Sequence, residues 1–369
     1  MERAYFDANA TTPPLPSVVA AVTRAMTEAW GNPTSTHREG QRARQLLEEA
    51  RRTVAASLGV PPAQLVFCAS ATEALHLLIR GLHPALGDLP ALVFPGEHSA
   101  CLNPLRDWSA VRWLPTAGAV GAARAVGAAG AVGAAPAAGA DPAGVATVVQ
   151  MAASNETGIL YPMPELPAVR IRDAAQAWGK VPLDLADCDA AVLSGHKIGG
   201  PRGVAVLWMR PELPWTPVME GPQERRRHGG TEDLPAILGL AEAVAALPER
   251  LAGNAELAVL RDALESEVLA WSPDFEAIGR DRPRLPNTSA LLLRGHTGQS
   301  LQIALDLAGF AVSTGSACHS GATRPSHAIT SLGYSEPDAR SVLRVSLLPG
   351  TAPEAVAALG AALRRILGR

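Results

Sequence analysis

Ser194-Gly195-His196-Lys197 follows the apolar run Ala190-Ala191-Val192-Leu193 and precedes the turn Gly199-Gly200-Pro201-Arg202-Gly203. The run reads as a buried strand and the glycines and proline as a turn, so the lysine stands just past a strand end. A lysine there is ordinarily a solvated surface charge. Beside a serine and a histidine it suits another task. Its amine can form a Schiff base with an aldehyde, while hydroxyl, imidazole and backbone N–H donors suit a phosphate. Pyridoxal phosphate carries both groups.

About two dozen residues earlier, Asp173-Ala174-Ala175-Gln176 follows the apolar-containing run 166–171. A carboxylate at a strand end can cap a helix. It can also pair with a pyridinium nitrogen and keep it protonated, which makes the ring an electron sink. The order of aspartate then lysine, each after its own strand, favours the cofactor reading.

Outward from these two strands the pattern repeats. Leu65-Val66-Phe67-Cys68, Ala91-Leu92-Val93-Phe94 and the stretches 111–114, 145–151 and 204–208 read as short buried strands. Helical spacing covers 17–30 and 41–58, and another helix opens at Ser70-Ala71-Thr72-Glu73. This alternation predicts an α/β fold with a large, mainly parallel sheet. Residues 5–14 read as a short strand and a turn. Past Thr231 the pattern changes: one long helical stretch over 234–269 leads to apolar segments at 285–293 and 342–347, with helices near 300–307 and 353–367. This second region reads as a smaller α+β domain. The expected division is 13–248 for the large domain, with 1–12 and 249–369 forming the small one. Residues 116–146 are Ala/Gly low complexity, and no structure is forced onto them.

Composition sets the outer limits. The 369 residues suffice for two domains. A net charge of −3 argues against nucleic acid or an anionic membrane as partner. The start, Met1-Glu2-Arg3-Ala4-Tyr5-Phe6-Asp7, has no apolar core of a secretory signal, and the uncharged stretch 125–140 is too weakly hydrophobic to span a bilayer. The four cysteines, Cys68, Cys101, Cys188 and Cys318, are widely spaced, which predicts neither a zinc site nor a disulfide framework and fits a reducing cytoplasm.

Other stretches carry chemistry. Ala71 and Thr72 sit where a helix N-terminus would offer N–H groups and a hydroxyl to a phosphate, although Ser70 is equally suited to plain N-capping. Glu97-His98 follows a strand, placing an imidazole where it can stack on a ring and move protons, or lie in a surface loop. Ser313-Thr314-Gly315-Ser316-Ala317-Cys318-His319-Ser320-Gly321 sets a cysteine among small polar residues, a setting for an accessible thiol rather than a buried one. Arg344 is a lone cation in the apolar run 342–346 and requires a carboxylate, either a buried aspartate or the carboxylate of an amino acid.

Taken in order, eight motifs resemble those of the cysteine desulfurases, pyridoxal phosphate enzymes of the class V aminotransferase group. They are Asp7-Ala8-Asn9-Ala10-Thr11-Thr12-Pro13, Gly31-Asn32-Pro33-Thr34-Ser35, Ala71-Thr72-Glu73, Glu97-His98, Asn155-Glu156-Thr157-Gly158, Asp173-Ala174-Ala175-Gln176, Ser194-Gly195-His196-Lys197 and Ser316-Ala317-Cys318. The likeness spans nearly the whole chain, and the Ser-Gly-Ser-Ala-Cys form resembles the NifS/IscS-like branch with a long catalytic loop. It implies the aspartate aminotransferase-like fold of pyridoxal phosphate-dependent transferases. It implies that Lys197 carries the cofactor and then acts as base, that Asp173 pairs with the ring nitrogen, and that Gln176 reaches the ring hydroxyl. His98 would stack on the ring. Ala71, Thr72, Ser194 and His196 would seat the phosphate, and Thr231 would reach the phosphate of the other subunit in a homodimer. Asn9, Asn155 and Arg344 would hold the substrate, L-cysteine. Cys318 would take its sulfur as a persulfide, release alanine, and pass the sulfur to an acceptor protein for iron–sulfur cluster assembly or sulfuration of a thio-cofactor or nucleic acid.

The chain departs from that pattern in places. His228 stands where an arginine is usual, Glu220-Gly221 replaces a glycine pair, Ser154 precedes Asn155, and Arg170 and Arg172 flank Ile171. It ends at Arg369, shorter than members whose tail helps dock a scaffold. Two other functions fit the same scaffold. One is a different pyridoxal phosphate enzyme, a selenocysteine lyase or an aminotransferase, although an aminotransferase has no need of Cys318. The other is a non-catalytic structural paralogue, against which the joint presence of Lys197, Asp173, His98 and Cys318 argues.

Overall fold

The computed structural model describes residues 3–114, 144–315 and 325–369. Its main sheet has seven strands in the order Leu65–Cys68, Ala205–Met209, Ala190–Ser194, Val169–Asp173, Thr147–Met151, Ala91–Val93 and Val111–Trp113. Ala205–Met209 runs antiparallel to both neighbours, and every other pairing is parallel. Six strands therefore point the same way and end on one edge.

The three runs Thr147–Met151, Ala190–Ser194 and Ala205–Met209 are buried along their whole length. That is what a sheet covered on both faces demands, and it explains their unbroken apolar character. One face packs against Pro16–Glu28, Arg38–Leu58 and Leu234–Ala245 through Val18, Leu47, Val54 and Leu240. The other packs against Ala71–Leu86 through Leu75, Leu78 and Leu82. Each such aliphatic side chain contributes about 1.5–3 kcal/mol on full burial. Val169–Asp173 alternates: Asp173 shares a face with Ile171, while Arg170 and Arg172 point the other way, to Asp189 and Asp187. The strand accommodates its two arginines without placing either beside Asp173's side chain.

A four-stranded antiparallel sheet, ordered Ser313–Thr314, Val342–Ser346, Thr288–Leu293 and Phe275–Ala277, forms a second centre. Asn254–Leu269, Gly298–Leu307 and Pro353–Ile366 cover it, with Leu257, Leu264, Leu301, Leu305 and Leu359 in the core. The N-terminal strand Ala4–Tyr5 joins this side, pairing in parallel with Phe310–Ala311. An apolar cluster including Phe94, Met151, Tyr161, Leu292 and Ile329 links the two sheets.

The expected single helix over 234–269 is three helices: Leu234–Ala245, Leu247–Ala252 and Asn254–Leu269. Pro248 lies in the first turn of the middle helix, where its missing N–H is harmless, whereas in a continuous helix it would remove a hydrogen bond and clash. Gly253 sets the second break. Of the low-complexity stretch 116–146, positions 116–143 lie outside the described residues. Among those described, no helix is long and apolar enough to cross a membrane.

Candidate active site

The shared carboxyl edge of the six strands is where an α/β sheet binds ligands. Each sheet-borne candidate sits there. Ser194 ends its strand, and Gly195–Lys197 is a single 3-10 turn directly after it. Gly199 and Gly203, with φ of 80° and 82°, turn the chain back in a conformation that side chains resist. Asp173 ends the neighbouring strand, Asn155 follows Thr147–Met151, and His98 follows Ala91–Val93. Ala71 and Thr72 open the helix after Leu65–Cys68. Ser70 is its N-cap, its Oγ accepting from Glu73 N at 3.1 Å, so the capping role is real and Thr72 remains exposed beside it.

Lys197 Nζ donates to the carbonyls of Asn9 (2.6 Å) and Ala10 (2.7 Å). Asp173 does not cap a helix: Oδ1 accepts from Ala175 N at 2.9 Å in a turn, and Cys101 Sγ lies 3.8 Å from Oδ2. Burial raises its pKa, opposed by the Ala175 N–H and the charges of His98 and Lys197, both close enough to act on it. His98 Nδ1 accepts from Ala100 N at 3.2 Å and so starts a one-turn helix. His196 Nδ1 lies 3.0 Å from Thr11 Oγ1, and burial followed by the charge of Lys197 pushes its pKa down to about 4.

The other wall comes from the N-terminal segment and the second sheet. Arg344, 2 % exposed, donates from Nη2 to Asp7 Oδ1 (2.6 Å) and from Nη1 to the Asn155 carbonyl (3.1 Å), while its buried Nε has no hydrogen-bond partner. The carboxylate that this lone cation requires is thus an aspartate of the chain itself, with Nε left over. Asn9, 1 % exposed, donates from Nδ2 to the Asn155 carbonyl (3.1 Å) and Thr288 Oγ1 (2.9 Å). Gln176 Nε2 donates to the Asn9 carbonyl at 2.9 Å.

The structure therefore brings Lys197, Asp173, His98, Gln176, His196, Asn9, Asn155 and Arg344 around one edge, with Ser194 buried beneath and Ala71 and Thr72 on the same side of the sheet. Thr231 is exposed in the loop before Leu234–Ala245. That loop is tied back through His228, whose Nε2 lies 3.2 Å from Glu73 Oε1, next to Thr72. Cys318 lies outside the described residues.

Three participants were not singled out from the sequence as site residues. Asp7 neutralises Arg344. Glu97 is fully buried behind Asp173; its Oε1 accepts from Met151 N, its Oε2 has no partner, and burial followed by the Asp173 charge raises its pKa to about 8. Lys180 donates from Nζ to Asn9 Oδ1 (2.9 Å) and to Gln176 Oε1. Burial, then the charges of Lys197, Arg344 and Arg250, hold its pKa well below the ordinary lysine value. A signal for Lys180 was available, because lysine is rare in this sequence.

The aminotransferase class-V family model matches residues 4–359. An IscS-like cysteine desulfurase of Mycobacterium tuberculosis is 36% identical over 368 residues, covering 93% of this chain and 91% of that protein. A solved NifS-like protein superposes with a TM-score of 0.86 at 27% identity, covering 99% of each chain. A second structure, SspA in complex with cysteine, gives a TM-score of 0.75 at 26% identity over 94% of this chain and 99% of that one. With the strand-edge lysine and aspartate in place and these matches running nearly end to end, the chain belongs to the class V aminotransferase family, in its NifS/IscS-like cysteine desulfurase group.

Proposed function

We propose that this chain is a pyridoxal phosphate-dependent cysteine desulfurase that converts L-cysteine to L-alanine and hands the sulfur to an acceptor protein. The observation that carries the reading is the meeting of Lys197, Asp173 and His98 on one carboxyl edge, facing Arg344 of the second sheet and Asn9 of the N-terminal segment.

The residues suit the cofactor. A buried carboxylate with one backbone donor, Asp173, is the partner a protonated ring nitrogen needs. Lys197 rests on two carbonyls, a position from which its amine can reach an aldehyde. Ser194, His196, Ala71 and Thr72 would hold the phosphate, Gln176 the ring hydroxyl, and His98 the ring face. When bound, the cofactor supplies an electron sink for charge that develops at the substrate α-carbon.

The chain's own groups do the rest. Asn155 and the spare donor of Arg344 would bind the substrate carboxylate and fix the α-carbon over the site. The Lys197 amine would take the α-proton. Asp173 would pair with the ring nitrogen, and the His98 imidazole would relay protons. Cys318, as a thiolate, attacks the substrate sulfur: an S–S bond forms, the carbon–sulfur bond breaks, and proton uptake at carbon completes alanine.

Residues 13–248 would form the cofactor-binding domain, with 1–12 and 249–369 as the second. The separate core around Phe6, Leu257 and Leu359 supports that division. The exposed Thr231 suits contact with a second subunit of a homodimer. A reducing, cytoplasmic setting fits the three described cysteines, all buried and unbridged. Iron–sulfur cluster assembly and sulfuration of a thio-cofactor or nucleic acid are the destinations this reading gives the sulfur.

The test is alanine release from L-cysteine with a thiol reductant, comparing wild type, Cys318→Ala and Lys197→Ala. Alanine from wild type alone supports the reading. Alanine from Cys318→Ala at the wild-type rate, or none from a wild type that binds the cofactor, overturns it.

A further inference from the structure

Of the 32 lysines and arginines in this chain only two are lysine, Lys180 and Lys197. At solvated positions arginine serves as well as lysine, but a compact amine cannot be replaced by a planar five-donor guanidinium where space and acceptors are set for it. A sequence that uses arginine at every other cationic position keeps lysine where the amine itself is needed. Lys197 has such a reason in its proposed bond to the cofactor. Lys180 needs another.

Lys180 lies in the turn after Gln176 and is 8% exposed. Among the described residues no carboxylate lies within ion-pair distance of it. A buried amine without a counter-charge costs stability rather than adding to it, so its value lies elsewhere. Its Nζ reaches Asn9 Oδ1 at 2.9 Å, and the backbone carbonyl of the same asparagine receives Lys197 Nζ at 2.6 Å. The only two lysines thus converge on one residue.

An amide can present either end to a neighbour, but an amine bonded to it as donor selects the oxygen. Lys180 makes that selection twice, at Asn9 Oδ1 and Gln176 Oε1. The NH2 ends must then face away. Gln176 Nε2 meets the Asn9 carbonyl that Lys197 uses. Asn9 Nδ2 meets the Asn155 carbonyl that also receives Arg344 Nη1. Both protonation states of the amine keep two donors, so the selection does not depend on its charge.

We propose that Lys180 is a positioning residue of the active site: its amine orients the Asn9 and Gln176 amides and through them holds Lys197, Asn155 and Arg344 in register. This rests on the reading of Lys197 as the cofactor lysine.

Lys180→Met removes the donors at similar length, and Lys180→Arg keeps a cation. For both, the melting temperature, pyridoxal phosphate affinity, absorption spectrum of the lysine-bound cofactor, and kcat and KM for L-cysteine would be measured. The methionine variant should fold, bind the cofactor about tenfold more weakly, as expected for losing two hydrogen bonds, show an altered spectrum, and lose kcat. Arginine should not rescue it. Unchanged affinity, spectrum and kcat in Lys180→Met would overturn the proposal, as would full rescue by arginine. Should neither variant fold, wild type labelled with [15Nζ]lysine gives two side-chain signals. Both should shift on adding pyridoxal phosphate, and a shift confined to Lys197 would overturn the proposal. A wild type that binds cofactor but releases no alanine would sink the functional reading alone, because the affinity, spectral and NMR readouts would still judge Lys180.

Discussion

Arg344 Nη2 and Asp7 Oδ1 lie 2.6 Å apart although 337 residues separate them in sequence. The pair fastens the N-terminal segment to Val342–Ser346, reinforced by the bridge between Asp7 and Ser346. It also consumes one end of a guanidinium and leaves Nε buried without a partner. Asp7 therefore fixes the angle at which Arg344 faces the site.

Asp7→Ala should strand a buried cation. The expected loss is about 3–5 kcal/mol in urea unfolding, together with a raised KM for L-cysteine as Arg344 loses its fixed orientation. Asp7→Asn, which keeps a hydrogen-bond acceptor, should lose less on both counts. An Asp7→Ala protein as stable as wild type would contradict the structural account of this pair.

Two buried acids make stability depend on pH. Glu97 has its pKa raised from 4.5 to about 8, and burial raises that of Glu156 to about 7. Both hold a proton in the fold that the unfolded chain releases near 4.5, so stability falls as pH climbs through this interval and levels off above it. His196 opposes the trend at acid pH: its pKa is depressed from 6.5 to about 4, so the unfolded state takes up the proton first and stability drops as pH falls below 6.5. Between the ordinary histidine value and about pH 8 the two acids by themselves lower the unfolding free energy by roughly 1–3 kcal/mol as pH rises, while Lys180, held well below the ordinary lysine value, acts in the opposite sense, so the contribution of Glu97 is read as the difference between wild type and variant. Glu97→Gln, a neutral amide of the same shape, should flatten much of that decline in denaturant titrations at several pH values. An unchanged slope would mean that Glu97 is ionised in the fold.

The loop that carries Thr231 begins with three consecutive residues in the left-handed region, Glu224, Arg225 and Arg226, at φ of 46°, 58° and 65°. Glu224 is held there by the buried Arg51, whose Nη1 lies 2.9 Å and Nη2 2.6 Å from its carboxylate oxygens, and by the Phe67 N–H at 2.8 Å. Among the described residues Arg226 makes no comparable side-chain bond to offset its strain. Arg226→Gly should therefore stabilise by about 0.5–1 kcal/mol, relief of left-handed strain exceeding the entropy of the added glycine. Glu224→Gly relieves the same strain but orphans Arg51, and should destabilise by about 3 kcal/mol or more. Thermal melts of the two variants should move in opposite directions. Stabilisation by Glu224→Gly would show that the Arg51 pairing does not hold the turn, and destabilisation by Arg226→Gly would show that Arg226 carries no net strain.

Much of the fold was readable because its strands are short, apolar and bounded by turn residues. Ala190–Ser194 and Leu65–Cys68 emerge within a residue of where their hydrophobic runs place them. The placement of Lys197, Asp173, His98 and Thr72 was readable for a related reason: each stands at or within a few residues of its strand's end, and parallel strands deliver their ends to one edge. The stretch 234–269 was misread because helical spacing persists across Pro248 and Gly253. Backbone geometry, not side-chain periodicity, divides it.

The linear chain alone indicates where the strands lie and that most of them run parallel, and hence that the residues at their ends share an edge; these follow from local periodicity and from the alternation of strands with helices. It also carries, in its two lysines, a clue that needed coordinates to interpret. Folding alone decides that Asp7 pairs with Arg344, that Glu97 is buried behind Asp173, and that Lys180 and Lys197 meet on Asn9. Charge pairing, desolvation and amide orientation depend on distances across space and on exclusion of water, and neither quantity is encoded in spacing along the chain.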